Sequence, residues 1–403
     1  MPTYSYVART RTGTKQRGTL QADTRQAATQ MLQQRGLQAE EVTERTGGKA
    51  AAPRMNKRVK TSELLVFTRQ LSTIVSAGLP LLQGLDILAD QTEDANFGAI
   101  VDAIAQEVEA GETFSDALRK YPKAFPDLYV SMVRSGEASG DLDGVLLQLA
   151  DYLEASEDLK RRIKSAMTYP VVAFSMIILI ASGIIIFVVP QFQEIFTQLG
   201  GTLPAPTRML ILASNFLRSW VFWVSLIPSI IILVALYRLY RSTPSGRFNI
   251  DAFKLRVPVF GALGRKVAIS RFTRTLSTLT RSGVNILQAL EIVERTAGNE
   301  VFAKAVREAA SSVRNGESLS DPLARSEVFP AMVTRMIGVG EKTGALETML
   351  MKISDFYDSE VKAMVDGLTS LIEPMLIGMM GVVVGAIVIA LFMPILQLSS
   401  LVS

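Results

Sequence analysis

The sequence predicts an all-α membrane protein with two homologous six-helix bundles, three transmembrane helices and a small N-terminal α+β module. Three observations support this fold class: three long uncharged apolar segments, an internal duplication, and helical spacing of apolar residues in both copies. Hydrophobic residues make up 48% of the 403 residues, although the chain also contains 42 Lys and Arg and 38 Asp and Glu. This mixture indicates apolar membrane segments set between domains that are exposed to water.

The composition excludes several classes of function. The chain has no His and no Cys, which excludes His acid–base catalysis, Cys nucleophiles, the usual haem and zinc ligands, and disulfides. The net charge of +4 is small and gives no reason to expect a nucleic-acid partner. The N-terminus has no basic start followed by an apolar run, so we expect no cleavable signal peptide. We therefore predict a protein that is not an enzyme, with no catalytic residues, no cofactor and no metal ligands.

The first 45 residues differ from the rest because they predict a ββαβ-like module. An alternation of apolar and polar residues in the first 21 residues predicts two strands. Asp23 is a suitable N-cap for a helix that ends at Gly36, and residues 37–42 predict a further strand. Residues 46–57 predict a flexible linker by their composition.

Three uncharged apolar segments have the length of transmembrane helices. They contain 19, 18 and 22 residues, which as helices measure about 27 to 33 Å, close to a hydrocarbon core of about 30 Å. A buried core helix is the alternative for each segment, but the length and the lack of charge favour a membrane span. The segments are residues 171–189, 220–237 and 375–396, and the predicted transmembrane helices are residues 169–190, 219–239 and 373–396.

Lys and Arg flank these segments unequally. Four basic residues precede the first segment and five follow the second, whereas the loop 191–218 has only Arg208 and Arg218. By the positive-inside rule, the bundles at residues 58–168 and 240–372 are cytoplasmic, and the loop and the tail 397–403 are periplasmic. The flanking residues are Lys160, Arg161, Arg162 and Lys164 before the first segment, and Arg238, Arg241, Arg247, Lys254 and Arg256 after the second.

An internal duplication supports this topology independently. Residues 67–88 (FTRQLSTIVSAGLPLLQGLDIL) and 272–293 (FTRTLSTLTRSGVNILQALEIV) share eleven of 22 positions at an offset of 205. An offset of 204 then aligns GEASGDLDGVL, which begins at Gly136, with GEKTGALETML, which begins at Gly340. Two homologous domains are expected in one compartment, so an even number of spans must separate them. The second span is therefore the return helix that the duplication requires.

The first copy predicts six helices that are separated by Gly, Pro and capping residues. No strand pattern interrupts them, so an all-α bundle is expected, and residues 260–371 repeat it. The expected boundaries are an N-cap at Thr61 or Ser62, a stop at Gly78, an opening at Pro80, a helix over 94–110, an N-cap at Ser115, a start at Pro126, a turn over 136–140, and a long helix from Asp141.

These features together resemble the inner-membrane platform proteins of type IV pili and type II secretion systems, the PilC/GspF family. The resemblance rests on the two FTR segments, the GEASGDLDGVL sequence, RRIKSAMTYP at residues 161–170 and the duplicated layout, and it covers essentially the whole chain. It implies a platform in the bacterial inner membrane that contacts a cytoplasmic hexameric ATPase and inserts or extracts pilin or pseudopilin subunits. It also implies other inner-membrane assembly proteins as partners, and a homo-oligomer that is a dimer or larger.

Three other functions remain as alternatives. The sequence does not separate a pilus platform from a type II secretion platform that drives pseudopilus assembly. A transporter or channel is the alternative of another class, since internal repeats are common there, but the apolar spans contain no ionisable residue. A membrane enzyme is disfavoured because His, Cys and clustered carboxylates within the spans are all missing.

Two Gly-Glu pairs recur in the copies as candidate partner-binding sites: Gly136 with Glu137, and Gly340 with Glu341. One interpretation is helix-turn chemistry, in which Gly supplies a positive φ and Glu lies near a helix start. The other is a partner-binding loop, and the first is preferred. Residues 338–343 (GVGEKT) superficially resemble a phosphate loop, but Glu341 stands where the motif needs Gly before Lys, so we predict no nucleotide binding.

Arg69 and Arg274 occupy the same position in the two copies, on helices that are otherwise apolar. The preferred interpretation is an ion pair within each domain, and the alternative is contact with the ATPase.

The copies diverge where they enter the membrane, because Tyr169-Pro170 in the first copy is replaced by Glu373-Pro374 in the second. Pro374 and Glu373 suit the start of a helix, where proline is tolerated and an acid favours the helix dipole. Alternatively, Glu373 contacts another subunit or a pilin. We expect a functional difference between the copies at these four residues.

Overall fold

The structure is a computed structural model of the chain, and it contains two compact units, Met1–Leu147 and Gln148–Ser403. The backbone is described for residues 3–10, 15–21, 29–31, 37–45, 58–198 and 204–401, and the side chains for 29–31, 58–194 and 204–393. The described helices confirm the predicted all-α membrane fold class with its duplicated bundle and its small N-terminal module.

The N-terminal module contains a three-stranded antiparallel sheet in the order β2-β1-β3. The strands are β1 (Thr3–Thr10), β2 (Lys15–Gln21) and β3 (Leu37–Arg45). Strand β3 is three residues longer than the predicted strand, and its pairing with β1 shifts register between Val7 and Ala8. Residues 29–31 are helical, while most of the helix predicted over 23–36 and the linker predicted over 46–57 lie outside the described residues.

The first copy forms six helices in the described part of the chain. They are α1 (Thr61–Ser76), α2 (Leu81–Gln91), α3 (Ala95–Glu109), α4 (Phe114–Arg119), α5 (Asp127–Ser139) and α6 (Leu142–Gly183). A π-helical segment, Ile184–Val188, connects α6 to α7 (Val189–Gln198). The boundary between the two compact units falls within α6.

Aromatic side chains form the centre of the first bundle. Phe67 packs edge-on against Phe97, with ring centroids 5.4 Å apart, and against Phe125 at 5.9 Å. Tyr129 makes a tilted ring contact with Phe125 and accepts a hydrogen bond from the Thr68 hydroxyl at 3.2 Å. Burial raises the pKa of Tyr129, and the hydrogen bond from Thr68 offsets this only in part. The tyrosine therefore stays neutral and acts as a core residue with one satisfied polar atom.

The second copy repeats the six helices and the same aromatic core. Phe329 lies 4.8 Å from Phe272 and 5.3 Å from Phe302 between ring centroids, and these three residues occupy the repeat positions of the phenylalanines in the first bundle. The helices are α11 (Phe260–Arg281), α12 (Ile286–Thr296), α13 (Glu300–Arg314), α14 (Ser320–Arg325), α15 (Ala331–Thr343) and α16 (Leu346–Leu401).

Some of the predicted helix caps are right and others are wrong. Gly78 has the positive φ of 83° that the predicted stop after α1 requires. Asp94, predicted as the first residue of a helix, instead precedes α3 as its N-cap and accepts hydrogen bonds from two N–H groups. Helix α1 begins at Thr61 after Lys60 without a side-chain cap, so the predicted cap at Thr61 or Ser62 is wrong. Thr113, rather than Ser115, caps α4, because the helix begins at Phe114 and Ser115 already lies in its first turn. The Thr113 hydroxyl accepts a hydrogen bond from the Asp116 N–H.

Residues 136–139 form the last turn of α5, so the turn predicted over 136–140 is wrong. Only Gly140 leaves the helix, with a φ of 77°, and Gly344 ends α15 in the same way with a φ of 71°. A left-handed residue after the helix is the one position that needs glycine, while Glu137 and its neighbour Ala138 are compatible with a continuing helix.

The described residues contain three helices that are long and apolar enough to cross a membrane. They are Leu142–Glu194, Trp220–Ser242 and Leu346–Met393, with mean hydropathies of 2.9, 2.2 and 2.7 for their most apolar windows. The first and third are continuous with the last helix of a bundle, so each copy extends from a bundle into a span without an intervening loop.

The prolines at the membrane entry lie inside helices and do not start or end them. Pro170 is within α6 and Pro374 within α16, so the predicted helix start at Pro374 is wrong. Helical structure also continues past Pro190 and Pro394. A proline removes one backbone hydrogen bond, which transmembrane helices tolerate through local adjustment, and Ile184–Val188 is such an adjustment just before Pro190.

The described segments just before and just after the second span are helical. The predicted loop over 191–218 contains most of α7 and the whole of another helix. A further helix that the sequence did not predict follows the second span. The helices are α8 (Ala205–Arg218), α9 (Trp220–Ser242) and α10 (Pro244–Arg256). The predicted tail also differs, since residues 397–401 continue α16.

Candidate functional site

The two Gly-Glu pairs connect helices within each bundle. The Glu137 carboxylate accepts hydrogen bonds from the backbone N–H of Phe114 at 2.6 Å and of Ser115 at 3.0 Å, which are the first two residues of α4. Glu341 accepts from the N–H groups of Leu319 and Ser320 at the start of α14. Helix N-termini have unpaired N–H groups and a positive dipole end, so a carboxylate there is stabilising. Each glutamate therefore caps a neighbouring short helix from outside.

The glycine of each pair allows a close approach between two helices. A Cβ atom on Gly136 would lie 3.0 Å from Val145 Cβ, and one on Gly340 would lie 2.8 Å from Leu346 Cα. These positions sit where the next helix, α6 or α16, turns back against α5 or α15. The pairs thus have a structural role in both copies, although it differs from the predicted one, since neither glycine has a positive φ.

Arg274 forms ion pairs within the second unit. Its guanidinium donates to the Asp358 carboxylate on α16 and lies 3.5 Å from Asp355. Ser270, one turn earlier on α11, also donates to Asp358. The Arg274 side chain is 18% exposed, so most of it is unavailable to a partner. Arg69, its counterpart in the first copy, is half-buried on α1.

A groove of about 660 Å³ lies between α6 and α16, just before both helices reach their apolar segments. Tyr169 lines the groove, whereas Glu373 and Pro374 are exposed on α16 and do not line it. The structure therefore does not bring the four divergent membrane-entry residues into one site. The other lining residues are Leu159, Arg161, Arg162, Ile163, Ser165 and Ala166 on α6, and Val361, Lys362, Val365, Asp366, Thr369 and Ser370 on α16.

Charges of opposite sign occupy matching positions on the two helices that form the groove. Asp158 and Arg162 on α6 stand at the repeat positions of Lys362 and Asp366 on α16. Arg162 donates to Asp158 at 2.6 Å, but half of its side chain is exposed, and exposed ion pairs of this kind contribute little to stability. The groove thus combines an apolar floor with accessible charges of both signs, which suits contact with an amphipathic segment of another protein.

Sequence reasoning missed one buried acid that positions the chain after the second span. Asp251 on α10 is 3% exposed, accepts from Lys254 at 2.9 Å and accepts from the Glu300 N–H at 3.1 Å. Burial alone would raise the pKa of Asp251, but these two hydrogen bonds and the nearby positive charge outweigh it, so the pKa lies below its ordinary value. Asp251 thereby attaches α10 to the start of α13. No sequence motif marks such a contact, which joins residues 49 positions apart.

Comparison with known proteins identifies the same duplicated unit. The family model described as type II secretion system, protein F, matches residues 67–190 and 272–394, and the model of its N-terminal domain matches residues 1–43. The chain is 44% identical to the type IV pilus assembly protein PilC of Thermus thermophilus over 405 residues, which cover 99% of this chain and 98% of the relative.

Two further relatives show the breadth of the similarity. The type IV pilus assembly protein PilC of Myxococcus xanthus is 41% identical over 98% of this chain and 95% of its own length. The type II secretion system protein F of Vibrio cholerae is 35% identical over the whole of both chains. The resemblance to the PilC/GspF family is therefore confirmed, and the chain belongs to the type II secretion system protein F family.

Proposed function

We propose that this chain is the inner-membrane platform of a type IV pilus assembly machine, with both bundles in the cytoplasm and the C-terminus in the periplasm. The identity to the two PilC relatives is 44% and 41%, against 35% to the type II secretion relative, which favours a pilus. A type II secretion platform that drives pseudopilus assembly is the second candidate. The basic residues before the first span and after the second support the orientation.

The observation that carries the proposal is the helical continuity between each bundle and its span. Helix α6 runs from Leu142 to Gly183 and α16 from Leu346 to Leu401, without a loop at the membrane entry. A displacement of a bundle therefore passes to the membrane segment through a helix rather than through a flexible joint. We infer that a cytoplasmic hexameric ATPase supplies the displacement, and that the moving spans insert or extract a pilin subunit.

The groove between α6 and α16 is the proposed contact for a pilin or for another inner-membrane assembly protein. It lies at the membrane entry, and its mixed charges and apolar floor fit a helix that leaves the bilayer there. The sides of the bundles that remain exposed are available to the ATPase and to a second copy of this chain in a homo-oligomer. Energy comes from the ATPase, because the chain has no phosphate loop of its own.

The proposal is tested by lowering the local stability of helix α16 at the membrane entry without changing its packing. Ala363 and Leu371 are exposed on this helix, flank the natural Gly367 and do not line the groove. A double variant with glycine at both positions loses helix propensity by about 1 kcal/mol per site, whereas Leu371→Ala retains it.

We expect the glycine variant to insert in the membrane and to lose fibre assembly in the native host, while the alanine variant assembles fibres. Faster amide hydrogen exchange in α16 would verify that this part of the helix is less stable in the glycine variant. Normal fibre assembly by a variant with this faster exchange would contradict the proposal that α16 transmits a displacement of the bundle to the membrane segment. Ion flux through liposomes that contain the purified chain alone would support a channel instead.

A further inference from the structure

Helix α8 has three faces, and each has a different chemical character. Thr207, Ile211 and Ser214 form a face that is at most 7% exposed. Met209, Leu212 and Phe216 form a second face, and their exposed fractions are 73%, 63% and 61%. Both sets recur at intervals of three or four residues, so each follows one side of the helix.

The third face is polar and lies beside the exposed apolar face. Arg208 and Asn215 are exposed and seven residues apart, so they lie above one another on the helix surface. A helix in an aqueous loop would need only one apolar face, the one that packs on the protein. The second apolar face of α8 covers two full turns and is mostly exposed within the described part of the chain, although the Phe216 ring contacts Phe222 at its end.

The depth of α8 relative to the third span identifies what covers this face. The Thr207 hydroxyl donates a hydrogen bond to the backbone carbonyl of Ala390 on α16, at 2.5 Å. Ala390 is six residues before the end of the apolar segment at Leu396, a distance of about 9 Å along the helix axis. Ile387 and Ala390 are buried on this side of α16, while Val388 and Ile389 are 45% and 59% exposed. Helix α8 thus begins alongside the apolar part of the span, below the level at which the span ends.

The contacts between the end of α8 and the second span, α9, indicate the same depth of α8 in the membrane. The Trp223 indole N–H on α9 donates to the carbonyl of Leu217 at 2.9 Å. The Phe222 ring makes a tilted contact with Phe216 and an edge-to-face contact with Trp223, with ring centroids 4.7 and 5.3 Å away. Trp220, at the start of α9, is 73% exposed. Tryptophan is enriched at the boundary between the hydrocarbon core and the headgroups. The C-terminal end of α8 therefore lies at this boundary, beside Trp220 and Trp223.

We propose that α8 is a membrane-interface helix that binds the lipid bilayer, with Met209, Leu212 and Phe216 in contact with acyl chains. Its buried face packs on the membrane segment of α16, and Arg208 and Asn215 face the headgroups and water. Such an arrangement, with an apolar face in the acyl region and a polar face outward, is the pattern of helices that lie in the membrane plane. The segment expected to be a periplasmic loop is then part of the membrane domain, and this inference does not depend on the proposed pilus function.

The absence of cysteine in the chain makes a direct test possible. Single cysteines replace Met209, Leu212 or Phe216 on the apolar face, and Arg208→Cys and Asn215→Cys serve as matched controls on the polar face of the same helix. Each variant of the full chain is labelled with a nitrobenzoxadiazole fluorophore and reconstituted in phospholipid vesicles. Two quenchers are then compared: aqueous iodide, and phospholipids that carry a nitroxide on the acyl chain.

We expect labels on the apolar face to emit at shorter wavelength, with several-fold less quenching by iodide and strong quenching by the lipid nitroxide. Labels at 208 and 215 should show the opposite behaviour. Iodide quenching that is equal on the two faces would place α8 in water and overturn the proposal. A blue-shifted label that the lipid nitroxide does not quench would show that protein, such as a second copy of this chain, covers the face, and would overturn it as well.

Discussion

Glu137 Oε1 accepts a hydrogen bond from the backbone N–H of Phe114 at 2.6 Å, which ties the end of α5 to the start of α4. Glu341 makes the same contact with Leu319 in the second copy. The spacing between partners is 23 residues in the first copy and 22 in the second, because the repeat offset changes from 205 to 204 between them. The contact is retained although the connecting segment differs in length by one residue, which indicates that the bundle depends on it.

Removal of either glutamate should therefore destabilise the protein. Glu137→Ala leaves two N–H groups at a half-buried helix start without their charged acceptor, and we expect the free energy of unfolding to fall by about 2 kcal/mol. Glu109→Ala, at an exposed acid on α3, is the control and should change it by less than about 0.5 kcal/mol. Unfolding of the full chain in detergent micelles measures both. Equal stability of the two variants would show that the carboxylate is not a cap.

The glycine beside each glutamate should tolerate no side chain. Gly136→Ala and Gly340→Ala place a Cβ 3.0 Å or less from an atom of the next helix, and we expect a loss of about 1 to 3 kcal/mol. Gly367 on α16 has no atom within 4 Å of an added Cβ, so Gly367→Ala should be neutral or stabilising by up to about 1 kcal/mol. Thermal unfolding of the three variants checks the order. A neutral Gly340→Ala would mean that α15 and α16 are not in close contact.

The sequence predicts those parts of this fold that depend on local pattern or on repetition. Apolar runs predict the spans, and the duplication predicts a second bundle over residues 260–371. The ring contacts of Phe272, Phe302 and Phe329 confirm that this bundle repeats the core of the first. Local rules fail where a distant contact decides the structure. They also fail at Pro374, which the local rule predicts at a helix start, because a membrane-spanning helix tolerates an internal proline through local adjustment.

The candidate sites show the same division between local and distant information. The ion-pair interpretation of Arg274 is correct, but no spacing rule identifies Asp358 as its partner, since 84 residues separate them. The turn predicted at Gly136 is wrong because its glycine serves packing against Val145, which a single helix pattern does not reveal. The groove at Tyr169 is lined by residues of both α6 and α16, so the pattern of either helix alone does not predict it.

The ion pair of Arg274 with Asp358 should be a matter of stability rather than of partner binding. Both side chains are mostly buried, at 18% and 28% exposed, so Asp358→Asn and Arg274→Met should each lower the free energy of unfolding by about 1 to 2 kcal/mol. The double variant should lose less than the sum, because each single change already breaks the pair. A stable Arg274→Met variant that fails to crosslink to the ATPase would instead assign Arg274 to the partner interface.

Asp251 should make the stability of the second unit dependent on pH in the acid range. Its pKa is lowered in the folded state, so the folded protein favours the carboxylate more than the unfolded chain does. The resulting stabilisation is fully present above the unfolded pKa of about 3.9 and is lost as the pH falls through the lower folded pKa.

Asp251→Asn removes this contribution, and the difference in stability between wild type and variant should be largest at neutral pH and shrink below about pH 4. Unfolding of both proteins as a function of pH measures it. A difference that stays constant from pH 7 to pH 3 would show that the carboxylate charge has no part in holding α10 to α13.

We propose that one bundle-and-span unit is used twice in the same orientation. The most direct test is to measure on which side of the membrane each copy lies. Single cysteines at Glu109 in the first bundle, Glu308 in the second and Arg208 on α8 are each exposed positions in a chain without natural cysteine. Labelling of intact spheroplasts with a membrane-impermeant maleimide should modify position 208 alone, and positions 109 and 308 should react only after lysis. Reaction of position 308 in intact spheroplasts, with position 109 still protected, would place the two bundles on opposite sides and contradict the account.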